Sequence, residues 1–400
     1  MRRFLPLATL TNVALVGLSL FGCQSDNSIE PTTLSADCLV KASSNNGVAI
    51  AGSYIVTYQL TQSLPTSPNA RAAAAEVLAG QLLTNYAVAN PRAEILASGA
   101  QTSFLAHLTE AESEKLRQDP SVALVEPDRI MSMCSCVDVA TTSTLTWNVK
   151  QTGYGRGDLQ TNKTAWIIDT GIDLDHPDLN VDTQRSKSFV SGQTSADDEN
   201  GHGTHVAGII GAKNNNIGVT GVASGATLVA LRVLDEDGDG RLSGIIQAVN
   251  YVVQNGKAGD VVNMSLGGEG TSATLERAIT QAANAGILFA IAAGNEGKNA
   301  NDYSPARLNH ANIFTVSAMN NLNRFASFSN YGSSVDICAY GVRIPSTYKN
   351  GGYTTLSGTS MAAPHVAGLL LIRGRNLPTH GTVTGDTDGT PDPMAGEASQ

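Results

Sequence analysis

Short apolar runs alternate with helical patterns between residues 145 and 375, and this alternation restricts the chain to few folds. The pattern predicts buried strands at 164–168, 227–234, 261–265, 287–292 and 313–317, and helices near 202–211, 243–254, 274–285 and 360–372. Strands that alternate with helices favour a parallel sheet covered by helices on both faces. The 40 glycines and only 15% charged residues fit an α/β protein with many tight turns. We therefore predict one large α/β domain over residues 145–375.

A smaller α+β pattern precedes this domain and covers residues 53–135. Strands are predicted near 54–58, 103–108 and 122–125, with a helix around 70–85 and a second helix that Thr109 opens. Glu112 stands three residues after Thr109, which is the spacing of a capping box. About 80 residues form only a marginal core, so we expect this domain to need a partner surface. Polar, turn-rich residues 24–52 predict a linker, and residues 376–400 predict a flexible tail.

The first 23 residues form a targeting segment. Arg2 and Arg3 precede an apolar run over residues 4–21, and Leu-Phe-Gly-Cys at 20–23 resembles a bacterial lipobox in which Cys23 is acylated. The alternative is an ordinary signal peptide, although no Ala-x-Ala cleavage site lies nearby. Either interpretation predicts export to a compartment in which disulfides can form. Four cysteines then remain and permit three pairings that the sequence does not separate: Cys38, Cys134, Cys136 and Cys338.

The charge and the hydropathy of the chain limit the classes of partner that it can bind. The net charge is −10, and the chain carries no basic block, which argues against a nucleic-acid partner. No apolar stretch after residue 23 is long enough to cross a bilayer, so we expect membrane attachment only through a lipid on Cys23. We expect a monomer.

Four polar residues stand where an open α/β sheet places its sites, just past strand ends or at helix starts. They are Asp169, His202, Asn295 and Ser360. Alone, each has a plain structural reading, because aspartate and asparagine form turns and serine caps helices. Together, a hydroxyl nucleophile, an imidazole base, a carboxylate and an amide donor suit acyl transfer. His202 and His205 are also spaced as a metal pair, but no further residue is placed to complete a zinc site.

Three motifs carry these residues: Asp-Thr-Gly at 169–171, His-Gly-Thr-His-Val-Ala-Gly at 202–208 and Gly-Thr-Ser-Met-Ala-Ala-Pro at 358–364. In them the chain resembles the subtilisin-like serine proteases (subtilases), and within these the proteinase K-like branch. The order of Asp, His and Ser along the chain is the one already known for subtilisin. The resemblance covers residues 145–375 and, more weakly, 53–130. It implies a three-layer α/β fold with a mostly parallel central sheet, preceded by a small α+β inhibitory prodomain.

The resemblance also implies roles for individual residues. Ser360 would be the nucleophile, His202 the general base and then acid, and Asp169 the residue that orients His202. Asn295 and the Ser360 backbone N–H would hold the oxyanion. Two backbone segments on either side of the substrate cleft, which we call its walls, would bind substrate as an added strand. The residues predicted to bind substrate there are Gly238, Gly240, Ser265, Leu266, Gly267 and Gly294. Small residues along these walls suggest an open primary pocket that prefers apolar or aromatic side chains.

A structural Ca²⁺ site is a further implication of the resemblance. Asp178 matches the carboxylate ligand of a common subtilase site, and residues 213–219 resemble its loop. The Asn215 side chain and the carbonyl groups of Lys213, Ile217 and Val219 would complete the ligands, and oxygen-only ligands suit Ca²⁺. The loop could equally be a plain turn. No organic cofactor is expected, and the acidic residues 386–389 are predicted to be part of the solvated tail.

As a family trait, such a prodomain assists folding and then blocks the active site until it is cut off. We expect the cut within residues 131–145, made by the enzyme itself. If Cys23 is lipidated, the same cut would release the catalytic domain from the membrane. The chain is thus expected to be an exported serine endopeptidase made as a zymogen. The alternative is a catalytically inactive subtilase-like surface lipoprotein that binds peptides.

Overall fold

The computed structural model describes residues 45–59, 64–65, 67–98, 101–133, 136–138, 145–155 and 162–397. The predicted targeting segment with Cys23, most of the predicted linker, and both Cys38 and Cys134 lie outside the described residues. Within the described part of the chain, no helix is both long and apolar enough to span a membrane.

The described residues form seven α-helices and 19 strands. The helices are α1 (Pro68–Asn85), α2 (Glu110–Arg117), α3 (Trp147–Gln151), α4 (His202–Gly211), α5 (Leu242–Asn255), α6 (Ala273–Asn284) and α7 (Thr359–Arg373). The first strands are β1 (Ala49–Gln59), β2 (Ala93–Ser98), β3 (Gln101–His107), β4 (Val122–Met133), β5 (Cys136–Asp138), β6 (Thr164–Asp169), β7 (Lys187–Ser188), β8 (Thr227–Arg232) and β9 (Asp239–Arg241). The others are β10 (Val261–Met264), β11 (Leu266–Glu269), β12 (Leu288–Ala292), β13 (Tyr303–Ser304), β14 (Ile313–Met319), β15 (Ile337–Tyr340), β16 (Ile344–Tyr348), β17 (Gly352–Ser357), β18 (Thr379–Thr382) and β19 (Pro393–Ala395).

A nine-stranded central sheet runs in the order β18-β19-β15-β14-β12-β10-β6-β8-β7. Its strand pairs are parallel except for β18 with β19. Successive residues of β6 enter opposite cores: Ala165 and Ile167 pack on the side of α4 and α7, while Trp166 and Ile168 pack on the side of α5 and α6. The predicted three-layer fold with a mostly parallel sheet is confirmed.

The N-terminal domain is an antiparallel sheet of β1 to β4 with α1 and α2. Its core is small and is formed by residues such as Val56, Leu83, Phe104 and Leu116. The capping box at Thr109 is present, since the Thr109 side chain accepts from the Glu112 N–H and the Glu112 carboxylate accepts from the Thr109 N–H. Strand β4 extends eight residues beyond the predicted end at residue 125 and continues onto the large domain.

Two predicted boundaries are wrong. Strand β1 already begins at Ala49, inside the predicted linker 24–52, because its first residue pairs with Arg129 of β4. The predicted flexible tail is also folded as far as residue 397. Strand β19 adds to the central sheet beside β15, and Asp392 accepts a hydrogen bond from buried Ser317, 2.6 Å apart. Burial raises the Asp392 pKa to about 7, with nearby carboxylates adding to the shift.

The structure also shows the state of one of the four cysteines. Cys338 lies on β15, is fully buried and forms no disulfide. None of the three complete pairings of the four cysteines is therefore formed. Burial raises the pKa of the Cys338 thiol, so it behaves as a small apolar core residue.

Removing the C-terminal strands tests their contribution. A chain that ends at Arg375 loses the buried side chains of Val383 and Met394, each worth about 1.5–3 kcal/mol. In a Ser360→Ala background, which prevents self-digestion, we expect the free energy of unfolding in denaturant to fall by about 3–6 kcal/mol. The matched control ends at Glu397 and keeps every described residue. Equal stability of the two truncated chains would contradict the packing of this segment.

Candidate active site

The four predicted polar residues meet at the carboxyl end of the central sheet. Asp169 is the last residue of β6, His202 the first residue of α4, and Ser360 the second residue of α7, while Asn295 follows β12. All four are buried, with Asp169 0% and His202 1% exposed. Parallel strands deliver their carboxyl ends to one edge, which is why residues distant in sequence converge here.

Asp169 and His202 form a direct hydrogen bond. His202 Nδ1 lies 2.7 Å from Asp169 Oδ1, which also accepts from the Thr170 N–H. Since the carboxylate is the acceptor, His202 carries its proton on Nδ1, and Nε2 is left as a base. His202 Nε2 has no hydrogen-bond partner within the described ranges. The Ser360 Oγ instead donates to the Ser265 carbonyl, 3.1 Å away.

Close packing of α4 against β6 sets this geometry. A Cβ on Gly203 would stand 2.0 Å from the Gly171 carbonyl and 3.2 Å from the Asp169 side chain. Only glycine therefore fits next to the histidine.

A buried carboxylate, Asp198, holds the start of α4. Its Oδ2 accepts from the N–H and the hydroxyl of Thr204, at 2.9 and 2.6 Å. Its Oδ1 accepts from the Gly201 N–H, the Asn200 N–H and the Thr170 hydroxyl. Asp198 thus ties the helix start to the loop that follows Asp169. No sequence motif marks this residue; the available signal is an acidic residue four positions before a helical histidine.

Asn295 is oriented by Thr359, the neighbour of Ser360. Its Oδ1 accepts from the Thr359 N–H at 2.8 Å and from the Thr359 hydroxyl at 2.9 Å. With Oδ1 engaged there, the Nδ2 donors lie on the other side of the amide. Gly294 has φ +105°, and a Cβ there would stand 2.3 Å from Asn330 Nδ2. Gly294, where no larger residue fits, and the two bonds from Thr359 together fix the Asn295 side chain.

Asn330 supports the same loop, and no sequence pattern marks it. It is fully buried, and its Nδ2 donates to the Ala293 carbonyl and to Glu296 Oε2. Its Oδ1 accepts from the backbone N–H groups of Glu296 and Lys298. A single amide therefore satisfies backbone groups on both sides of Asn295.

The two predicted substrate walls enclose strand β4. Ser132 lies opposite Gly267 of β11 on one side and Asp239 of β9 on the other, and Met133 lies opposite Leu266. The Met133 N–H donates to the Gly238 carbonyl at 3.2 Å. A Cβ on Gly238 would stand 2.7 Å from the Met133 side chain, and one on Gly240 would stand 2.2 Å from the Val233 carbonyl. The end of the N-terminal domain thus lies in the cleft as an added antiparallel strand.

The cavity beside Ser360 is mostly apolar. Its lining includes Ser265, Leu266, Gly267, Ala292, Ala293, Gly294, Tyr303 and Ala306. Four of the six predicted wall residues, Ser265, Leu266, Gly267 and Gly294, therefore line this cavity, whereas Gly238 and Gly240 do not. Tyr303 and Ala306, which no sequence motif indicates, also line it.

Two carboxylates of the N-terminal domain dock onto helix starts of the large domain. Glu126 Oε1 accepts from the Thr274 N–H at the start of α6, 3.0 Å away. Asp128 Oδ1 accepts from the Ser243 N–H at the start of α5, also at 3.0 Å. Burial raises the pKa of both carboxyls, and the hydrogen bonds at the helix starts oppose that shift. Carboxylates at helix N-termini satisfy unpaired N–H groups and favour the helix dipole.

The loop that carries the predicted calcium ligands lies against Asp178. The Asp178 backbone carbonyl accepts from the Lys213 N–H, and Asp178 Oδ2 accepts from the Val219 N–H at 3.0 Å. Asn215 Oδ1 accepts from the Ile217 N–H within the same loop. Asp178 Oδ1 is buried and has no hydrogen-bond partner among the described residues. A bare buried carboxylate oxygen beside a carbonyl-bearing loop fits Ca²⁺.

The second histidine of α4 has a separate partner. His205 Nε2 donates to the Ile344 carbonyl at 2.9 Å, whereas His202 bonds Asp169. Burial lowers the His205 pKa to about 3, so it stays neutral in the folded chain.

Replacing Asp198 tests whether it positions His202. We expect Asp198→Ala to lower kcat for a chromogenic peptide about 10²-fold, because small displacements of a catalytic group are costly, while KM changes little. Asp198→Asn keeps one acceptor and should recover part of kcat. The control is Asp197→Ala, next in sequence but exposed. Equal kcat in the Asp198 and Asp197 variants would contradict the positioning role.

Comparison with known proteins agrees with this geometry. Residues 165–377 match the model of the Subtilase family, and residues 53–133 match that of Peptidase inhibitor I9. A thermostable alkaline protease of Halalkalibacterium halodurans is 40% identical over 279 residues, which is 69% of this chain and 73% of that protein. Alkaline serine exoprotease A of Vibrio alginolyticus is 36% identical over 349 residues, which is 85% of this chain and 63% of that protein.

Solved structures agree as well. The crystal structure of a cold adapted subtilisin-like serine proteinase aligns with a TM-score of 0.57 and 34% identity, and the alignment covers 64% of this chain and all of that one. These matches confirm the predicted family and fold, while assignment to the proteinase K-like branch stays a prediction. The chain therefore belongs to the subtilase family of serine endopeptidases and carries an inhibitor I9 domain in the same polypeptide.

Proposed function

We propose that this subtilase cleaves peptide bonds with Ser360 as nucleophile, His202 as general base and Asp169 as its orienting carboxylate. The observation that supports this most is the 2.7 Å bond from His202 Nδ1 to Asp169, which leaves Nε2 as a base at the end of a cleft holding an extended strand. The Ser360 hydroxyl, which donates to the Ser265 carbonyl in this structure, is the proposed proton donor to that nitrogen.

The reaction follows from these positions. The Ser360 Oγ forms a bond to the substrate carbonyl carbon as its proton passes to His202 Nε2. The carbon–nitrogen bond then breaks, and His202 returns the proton to the departing amine. Water, activated by the same imidazole, hydrolyses the acyl ester. Asp169 holds the imidazolium in place through its bond to His202 Nδ1.

Asn295 and the Ser360 backbone N–H are the proposed oxyanion donors. Thr359 bonds hold Asn295 Oδ1, so the amide donors are oriented before substrate arrives. Preorganised donors stabilise charge that develops in the transition state without reorganisation. The preference for apolar or aromatic substrate side chains stays a prediction, consistent with the mostly apolar lining of the cavity.

The N-terminal domain is the proposed intramolecular inhibitor. Its last strand fills the cleft as substrate would, and Glu126 and Asp128 anchor it to two helix starts. The inactive surface lipoprotein is not favoured, because peptide binding alone would not need the oriented Asp169, His202 and Asn295.

Two substitutions test the catalytic roles. Ser360→Ala should abolish covalent labelling by a fluorophosphonate probe and leave the chain uncut. Asn295→Ala should still be labelled but should lower kcat about 10²- to 10³-fold with KM nearly unchanged. The control is Asn301→Ala, a partly exposed asparagine further along the chain. A folded wild-type chain that the probe never labels would overturn the proposal in favour of a binding protein.

We also propose export and release. A lipid on Cys23, which lies outside the described residues, would anchor the inhibitor domain, and self-cleavage would free the catalytic domain. Membrane fractionation of cells that carry wild type or Ser360→Ala distinguishes the outcomes. Equal membrane retention of the catalytic domain in both would contradict release by cleavage.

Calcium is proposed as a structural ion held by Asp178, Asn215 and the carbonyl groups of Lys213, Ile217 and Val219. The bare Asp178 Oδ1 supports this. Bound Ca²⁺ would fix the 213–219 loop and has no part in the chemistry at Ser360.

Removing calcium tests the site. Since a ligand stabilises the state that binds it, Ca²⁺ at 100 times its Kd should raise the free energy of unfolding by about 2.7 kcal/mol. We expect Asp178→Asn to lose most of that increment, measured as thermal unfolding with Ca²⁺ or with a chelator in the Ser360→Ala background. Asp175→Asn, exposed in the same turn, is the control. An unchanged response to Ca²⁺ in Asp178→Asn would refute the assignment.

A further inference from the structure

We infer that Asp239 makes the cleft select substrates by one side chain, favouring a hydroxyl or a cationic group and disfavouring a carboxylate. The inference rests on the proposed function, because it concerns the specificity of the same cleft. Asp239 is half-buried on β9, which forms one wall. None of the proposed chemical steps uses its carboxylate, so its place in the wall calls for another role.

Asp239 binds a side chain of the strand that lies in the cleft. The Ser132 Oγ donates to Asp239 Oδ1 at 2.6 Å, and the two residues lie directly opposite each other in the pairing of β4 with β9. Ser132 is only 1% exposed, so its hydroxyl has little access to water. The inhibitor domain therefore shows one kind of side chain that this position accepts.

The other wall offers no side chain at this level. Ser132 lies opposite Gly267 of β11, and glycine has no side chain. Directly opposite residues of an antiparallel pair place their side chains on the same face. Of the two residues that flank Ser132 across the strands, Asp239 is therefore the one whose side chain meets a substrate residue bound in the same place.

The charge of this wall determines which side chains Asp239 selects. An ionised carboxylate accepts hydrogen bonds and cannot donate one, so it suits the hydroxyl of Ser or Thr and the cationic groups of Lys or Arg. The same loop carries three further acidic residues at 235–237. Arg241, the basic residue of β9, lies opposite Ile130, two residues further back along β4. Since like charges repel, we expect an acidic substrate side chain to bind poorly beside Asp239.

The position that Asp239 contacts belongs to the amino-terminal side of the bond that is cut. Successive residues of β4 lie opposite Gly267 and then Leu266, so the strand runs along β11 toward Ser265. The Ser265 carbonyl accepts from the Ser360 Oγ at 3.1 Å. A substrate that binds in the direction of β4 therefore passes Asp239 before it reaches the nucleophile.

Sequencing the peptides that the enzyme releases from a denatured protein mixture tests the inference. We expect wild type to cut about 2- to 5-fold more often where Ser, Thr, Lys or Arg occupies one position before the cut than where Ala does, which is the range of one hydrogen bond or exposed ion pair. Asp239→Asn keeps an acceptor and loses the charge, so it should keep the preference for Ser and Thr and lose that for Lys and Arg. Asp239→Ala should lose both. The control, Asp237→Ala, removes an exposed charge from the same loop and should keep the wild-type profile.

Charge reversal separates specificity from a structural role. Asp239→Lys should favour Asp and Glu at the same position and disfavour Lys and Arg, which a merely destabilised fold would not produce. Identical profiles for wild type, Asp239→Ala and Asp239→Lys, from chains that the fluorophosphonate probe labels, would overturn this inference and leave the proposed function standing. A folded wild-type chain that is neither labelled nor able to cut would overturn both.

Discussion

The pairing of β4 with β9 and β11 is the interaction on which the structure depends. A strand of the inhibitor domain completes a sheet with two walls of the catalytic domain. Side chains of the inhibitor domain, such as Ile55, Leu105 and Met131, also join the core on the side of α5 and α6. Main-chain hydrogen bonds of this kind hold an extended backbone, while side-chain pockets beside the strand supply specificity. The inhibitor domain, whose own core is small, gains the partner surface that a domain of this size needs.

Buried carboxylates bond the starts of three helices, one that carries His202 and two that contact the inhibitor domain. Asp198 holds the start of α4 and therefore His202, and Glu126 and Asp128 hold the starts of α6 and α5 from the inhibitor side. In each case a buried carboxylate satisfies N–H groups that have no partner within the helix. The bonds that orient His202 and the start of α4 come from Asp169 and Asp198, whereas the inhibitor carboxylates contact the starts of α5 and α6.

Much of the fold follows from local patterns. Apolar runs with flanking turns mark β6, β10, β12 and β14, and α4 begins and ends where its motif predicts because small and apolar residues fill it. The catalytic residues also follow from motifs, since strand ends and helix starts place them at one edge. Local apolar patterns do not mark several of the other strands, among them β5, β9 and β11. These are short and glycine-containing or polar, and they become strands only because a distant segment pairs with them.

The supporting residues escape sequence patterns for a similar reason. Asp198 and Asn330 act by satisfying backbone groups that no spacing rule links to them. The C-terminal segment is misjudged because its polar composition predicts a tail. In the structure Asp392 bonds Ser317, and Met394 pairs with Cys338 at the edge of the central sheet. Composition describes a segment in isolation, whereas the structure of these residues depends on contacts with distant parts of the chain.

The place of β4 in the cleft is tested most directly by amide hydrogen exchange in the uncut Ser360→Ala chain. The Met133 N–H donates to the Gly238 carbonyl, so it should be protected together with the amides of β11. Exchange of the Met133 amide at the rate of an unstructured peptide, with the rest of the inhibitor domain still protected, would contradict a substrate-like strand in the cleft.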